Sequence, residues 1–200
     1  MIPDDLLQRL VFDGSEAHLL LRILVGVVAF AVLLRRDALG ESAARMGAAV
    51  AVGVVTFASL PIVDTSARLG HPVGGFGVFA LAASLPLWVE LVSPALMLGL
   101  GTAALMLQLV AALGAVGVVP PGAAWAGIVA VGGALGAVLH GRAPGVTSVL
   151  AASGAAAWSL GLGAQPVAIG VAMALGLAVN DLPRLTRRAI GKETSYEVGR

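Results

Sequence analysis

The chain has 200 residues, 58% of them hydrophobic and only 12% charged, with a formal net charge of +1 and no cysteine. Soluble domains are about a quarter charged, and the mean hydropathy here is +0.98, so these polar groups cannot cover a water-exposed surface. Disulfides, thiolate nucleophiles and cysteine-ligated metals are excluded, and the near-neutral charge carries no signal for nucleic acid.

In chain order, residues 1–17 mix polar and apolar, and Asp4 to Phe12 suit a short interfacial helix. The acids Asp4, Asp5, Asp13 and Glu16 replace the basic flank of a signal peptide, so the first apolar run is expected to be a retained membrane helix. That run is His18 to Leu34, with Ser15 as N-cap, Arg22 about two turns inside, and Arg35, Arg36 and Asp37 at its end. A polar loop to Arg45 leads to a second span, Met46 to Val63, closed by Pro61 and Asp64.

Phe76 to Val119 holds 44 residues and one charge, Glu90. A helix needs roughly 20 apolar residues to cross the hydrocarbon, so this is length for two spans. Glu90, Ser93 and Pro94 interrupt the run, and proline disfavours helix at the residue before it. A tight hairpin over Val89 to Pro94 is expected. Pro120-Pro121-Gly122 predicts the next turn, before a fifth span at Ala123 to Leu139, a sixth at Gly145 to Leu162 and a seventh at Val167 to Val179, extending to Asn180. The tail Asp181 to Arg200 is polar and basic.

The fold class read from this pattern is all-α: a polytopic transmembrane helix bundle of seven spans over residues 18–180, between an N-terminal interfacial segment, 1–17, and a basic cytoplasmic tail, 181–200. Basic residues are retained on the cytoplasmic side. Seven spans put Arg35, Arg36, Arg45, Arg142, Arg184, Arg187, Arg188, Lys192 and Arg200 on one side, against Arg9 and Arg68 on the other. The N-terminus is therefore expected outside and the C-terminus in the cytoplasm. The Ala, Gly, Val and Leu bias suggests a GC-rich bacterial genome, hence the bacterial inner membrane. No internal repeat supports an inverted-repeat transporter.

Candidate functional residues are few. An ionisable group in a span is a functional hypothesis by default, which makes Glu90 a candidate proton or cation site; the alternative is a carboxylate at the cytoplasmic hairpin, wetted by headgroup water. Arg22 suits an anion or carboxylate, or else snorkels to the interface or pairs structurally, with Asp64 as the nearest expected partner. Gln108, in the middle of span four, must face protein rather than lipid. His18, His71 and His140 do not converge, so no metal site is expected, and no cofactor. Ser153 sits in LAASGAAAW with no histidine base on a later span, against an intramembrane protease. Gly132 and Gly136 have the spacing for close helix approach, read first as packing within the chain. Trp88, Trp125 and Trp158 read as interfacial or packing aromatics.

Three segments, LLRRDALGESAARMGAAVAVGVVTFASLP, FGVFALAASLPLWVELVSPALM and LPRLTRRAIGKETSYEVG, resemble the membrane half of membrane-bound AraC-type transcriptional regulators. In that family a multi-span sensor precedes a cytoplasmic helix-turn-helix domain. The family's version of the Trp88 region lacks an acid where Glu90 stands, and this chain ends at Arg200, about where a DNA-binding domain would begin. The resemblance therefore implies at most a sensing or signal-relay membrane module, and a transcription-factor function is not carried over from it.

The expected function is a non-enzymatic sensing, regulatory or assembly module. Its partners would be the lipid bilayer and either a protein held through the cytoplasmic tail or a second copy of the chain, with no nucleic acid. The alternative is a small-solute or ion transporter or channel using Glu90, with Pro61, Pro86 and Pro94 breaking its helices. An intramembrane enzyme is disfavoured because no acid–base or metal set is visible.

Overall fold

The computed structural model describes residues 16–59, 72–118, 123–140, 142–163 and 165–180. Among these the secondary structure is wholly helical, with seven helices and no strand. They are α1 (Glu16–Leu39), α2 (Glu41–Ser59), α3 (Pro72–Glu90), α4 (Pro94–Ala115), α5 (Ala123–Leu139), α6 (Pro144–Ser159) and α7 (Pro166–Asn180). The N-terminal segment before Glu16, the loop holding Asp64 and His71, the Pro120-Pro121-Gly122 turn and the basic tail lie outside the described residues.

Helix ends follow local chemistry. α1 is interrupted at Arg35 (φ −129°, ψ 27°), where the arginine pair ends the apolar run. The chain then reverses at Gly40, whose φ of +57° suits a residue without a Cβ. α2 starts more than one turn before the expected Met46. The stretch read as a polar loop up to Arg45 is helical, because Glu41 in the first turn meets the positive end of the helix dipole. The hairpin between α3 and α4 falls where expected. α3 stops at Glu90, Leu91 and Val92 turn, and Ser93 caps α4 by accepting the Leu96 N–H at 3.4 Å, with Pro94 at the first helical position. α6 ends at Ser159, short of the expected Leu162. Gly161 (φ +78°) takes the left-handed position, and the Leu162 N–H closes on the Ala157 carbonyl at 2.9 Å.

Two helices, Glu41–Ala58 and Pro94–Ala115, are long and apolar enough to cross a membrane, while Gly77–Glu90, Ala124–Leu139 and Pro166–Asn180 are apolar but shorter. The 22 residues of α4 rise about 33 Å, against about 30 Å of hydrocarbon.

α6 is the central helix, buried without a break from Ala151 to Trp158. Small residues let its neighbours approach. A Cβ on Gly47 of α2 would lie 2.7 Å from the Ser148 carbonyl oxygen, and one on Gly101 of α4 would lie about 3 Å from both Ala48 and Ala151. α5 packs on α4 through the expected glycine pair: Gly132 faces Met106 and Gly136 faces Thr102, with no room for a Cβ at either. Trp125 and Trp158 are buried while Trp88 is exposed, and Trp158 meets Phe57 edge-on at 6.0 Å.

Large apolar side chains lie on the exterior of the bundle as well as in its interior. The interior holds Leu21, Leu33, Leu98, Leu105 and Ile169 with the small Ala48, Ala51 and Ala151, together with Thr102, Gln108, Thr147, Ser148 and Ser153. The exterior carries Leu20, Leu24 and Val27 of α1, Leu81, Leu85 and Trp88 of α3, Val131, Leu135 and Val138 of α5, and Val167, Val171 and Leu175 of α7. At three- and four-residue spacing these form continuous apolar stripes.

Candidate functional site

Alternating helix directions bring the ends of α1, α3, α5 and α7 to the starts of α2, α4 and α6. The contacts confirm this common end. Arg45 Nε of α2 donates to both carboxylate oxygens of Glu90 at 2.9 and 2.8 Å. Arg36 of α1 is buried and lies where a Cβ on Gly145 of α6 would be, with its Nε 2.8 Å away. Asn180 of α7 donates its amide to the Leu33 carbonyl and, at 2.6 Å, to Gly176. Arg35, Arg36, Glu41, Arg45, Glu90, His140 and Arg142 thus gather at one end. The described residues 46–59, 72–89, 91–118, 123–139, 143–163 and 165–180 carry no formal charge.

A cleft of about 550 Å³ opens at this end, lined by Gly40, Glu41, Ala44, Glu90, Pro94, Met97, His140, Gly145 and Ser148. The close approach of Gly47 to Ser148 sets where α2 and α6 meet beneath it. Glu90 sits on its wall, and in its pair with Arg45 the arginine side chain is 47% exposed and the glutamate 21%. Ser148 Oγ donates to the Gly145 carbonyl at 2.8 Å, which leaves its lone pairs free. His140 Nδ1 is buried with no hydrogen-bond partner.

The three candidates among the described residues, Glu90, Arg22 and Gln108, do not converge. Glu90 stands at the end of α3, paired with Arg45. Arg22 is at the opposite end of the bundle: its Nε donates to the Ser159 carbonyl at 3.2 Å, and its guanidinium reaches Gly161. It therefore caps the negative end of α6. Asp64 lies outside the described residues. Gln108 faces protein, only 1% exposed, with its amide wedged against Gly154 and both Nε2 and Oε1 without a hydrogen-bond partner.

Ser153 Oγ, half of the expected Ser-Gly pair, donates to the Leu150 carbonyl at 2.7 Å, so its proton is committed to its own helix. Among the described residues no group of three or more His, Asp or Glu could hold a metal ion. Sequence reasoning missed the cleft, although its orientation already put Arg45, Glu90 and His140 on the same side. Arg45 was weighed only as a topology signal. Comparison with protein-family models, curated proteins and solved structures found no match to this chain.

Proposed function

We propose that the chain is a seven-span protein of the bacterial inner membrane, N-terminus outside and C-terminus in the cytoplasm. It acts as a sensing, regulatory or assembly module rather than an enzyme. The observation that carries this reading is the apolar exterior. Leucine and valine stripes on α1, α3, α5 and α7 face outward, while hydroxyls turn inward and donate to carbonyls of their own helices, as Thr102 does to Leu98 and Gly99 at 3.0 and 3.1 Å. In water such stripes would be a large uncovered apolar surface; in lipid they need no cover, and the intrahelical bonds answer the demand that polar groups be satisfied internally. α7, with 15 residues, is short for the hydrocarbon, a mismatch that local thinning accommodates at modest cost.

The clustering of Arg35, Arg36, Arg45 and Arg142 at one end supports the assigned orientation. The cleft at that end, rather than a polar track through the middle, supports a module that receives a signal at its cytoplasmic face. The resemblance to the sensor half of membrane-bound AraC-type regulators points the same way. The alternative, transport, rests on Glu90 and on the orphaned amide of Gln108 in the bundle centre.

The chain has no cysteine, so single cysteines can be placed without background. With a membrane-impermeant maleimide, Val118→Cys should label in intact cells and Arg142→Cys only after permeabilisation. Labelling of both under the same condition would overturn the topology. For function, a solute flux in proteoliposomes that Glu90→Gln abolishes would favour transport over the sensing module.

A further inference from the structure

We infer that the cleft at the charged end is a binding site for a small organic cation, an ammonium on a short aliphatic body. This deepens the sensing reading and rests on it for its biological meaning. The volume, about 550 Å³, falls within the roughly 300–1,000 Å³ of small-molecule sites. The lining has two parts. Ala44, Pro94 and Met97 provide an apolar surface for a short carbon chain.

Glu41, Glu90, His140 and Ser148 provide the polar part, and what the two carboxylates and the hydroxyl still offer is acceptors. An ionised carboxylate has about four lone-pair positions, and Arg45 Nε uses one on each oxygen of Glu90, leaving further positions free. Glu41 makes no hydrogen bond among the described residues, and the Ser148 hydroxyl proton is spent on Gly145. A site with acceptors to spare selects a donor-rich, positively charged group, and an ammonium brings three N–H donors.

An anion fits poorly. It would meet two carboxylates, and no arginine is among the residues that line the cleft. A metal ion lacks a ligand set, since no group of three suitable side chains converges among the described residues.

The test is isothermal titration calorimetry on the full chain in phosphatidylcholine nanodiscs, with empty nanodiscs as blank. The ligands are 5-aminopentan-1-ol and its anionic counterpart, 5-hydroxypentanoate, both too polar to partition into the lipid. The amino alcohol should bind saturably at one per chain, and the carboxylate should not. Glu41→Gln should weaken binding about tenfold or more, the range of a charge-assisted hydrogen bond. Its side chain is exposed, so the fold is retained, which a thermal melt verifies. Ala44→Phe, which fills the apolar wall, should abolish binding; if that variant does not fold, Glu41→Gln carries the test alone. Equal binding of the carboxylate, absence of saturable binding, or an unchanged affinity in Glu41→Gln would each overturn the assignment. If the cysteine labelling agrees with seven spans while the amino alcohol fails to bind, the cleft assignment falls alone. If binding holds and the labelling disagrees, the topology falls instead.

Discussion

Gln108 is a primary amide placed where water does not reach it, with no partner for its nitrogen or oxygen. Leaving a buried polar group unpaired costs about 1–3 kcal/mol, whereas replacing it by an apolar group of similar shape removes that cost. Gln108→Met should therefore raise the melting temperature in detergent, the reverse of what deletion of a hydrogen-bonded core residue does. Gly154 supplies the other half of the prediction. A Cβ there would collide with Gln108 Oε1, so Gly154→Ala should destabilise by about 1–3 kcal/mol. Adding Gln108→Ala should recover most of that loss, because the collision then has no second party. A double-mutant cycle by thermal unfolding measures the coupling. Arg22 is a simpler case. Its bond to the Ser159 carbonyl sits at the negative end of α6, so Arg22→Met, which keeps the aliphatic stem, should cost about 0.5–1.5 kcal/mol.

Among the helices, the α4–α5 contact is the one most plainly set by glycine. Gly132 and Gly136 leave no space for a methyl group, while Gly127, on the same helix, has nothing within 4 Å of where its Cβ would be. Gly136→Ala should lower the unfolding midpoint, and Gly127→Ala should leave it unchanged or raise it slightly through helix propensity. The contrast separates packing from propensity within one element. The existence of this contact could be anticipated from the GxxxG spacing, but its partners, Met106 and Thr102, could not, since the rotation of one helix against another is decided by tertiary packing. The α3–α4 hairpin was legible because its signals are local: an acid, a capping serine and a proline within five residues. The start of α2 was not. Glu41 and Arg45 looked like loop charges, yet a helix end at a wet interface accommodates them. The candidate site was half legible. The orientation argument already placed Glu90 at the hairpin, but its bond to Arg45 joins residues 45 apart in sequence, and no periodicity reports such a pairing.

For the whole molecule the issue is which solvent surrounds it, and the exposed stripes offer a way to test it. Val131 sits in the middle of α5 and is 60% exposed. In a water-soluble bundle, an exposed valine changed to aspartate costs within about 0.5 kcal/mol and improves solubility. In a bilayer the same carboxylate lies near the centre of the hydrocarbon, where insertion of aspartate costs about 2.5–3.5 kcal/mol. Val131→Asp should therefore reduce the amount of chain recovered in the alkaline-carbonate-resistant membrane fraction several-fold. Leu160→Asp, in the turn after α6, should leave it nearly unchanged, because both residues are about equally exposed and only their depth differs. If Val131→Asp is as well tolerated as Leu160→Asp, the outward valines and leucines face something other than lipid. The same result would remove the physical ground for reading the arginine-rich end as a cytoplasmic face.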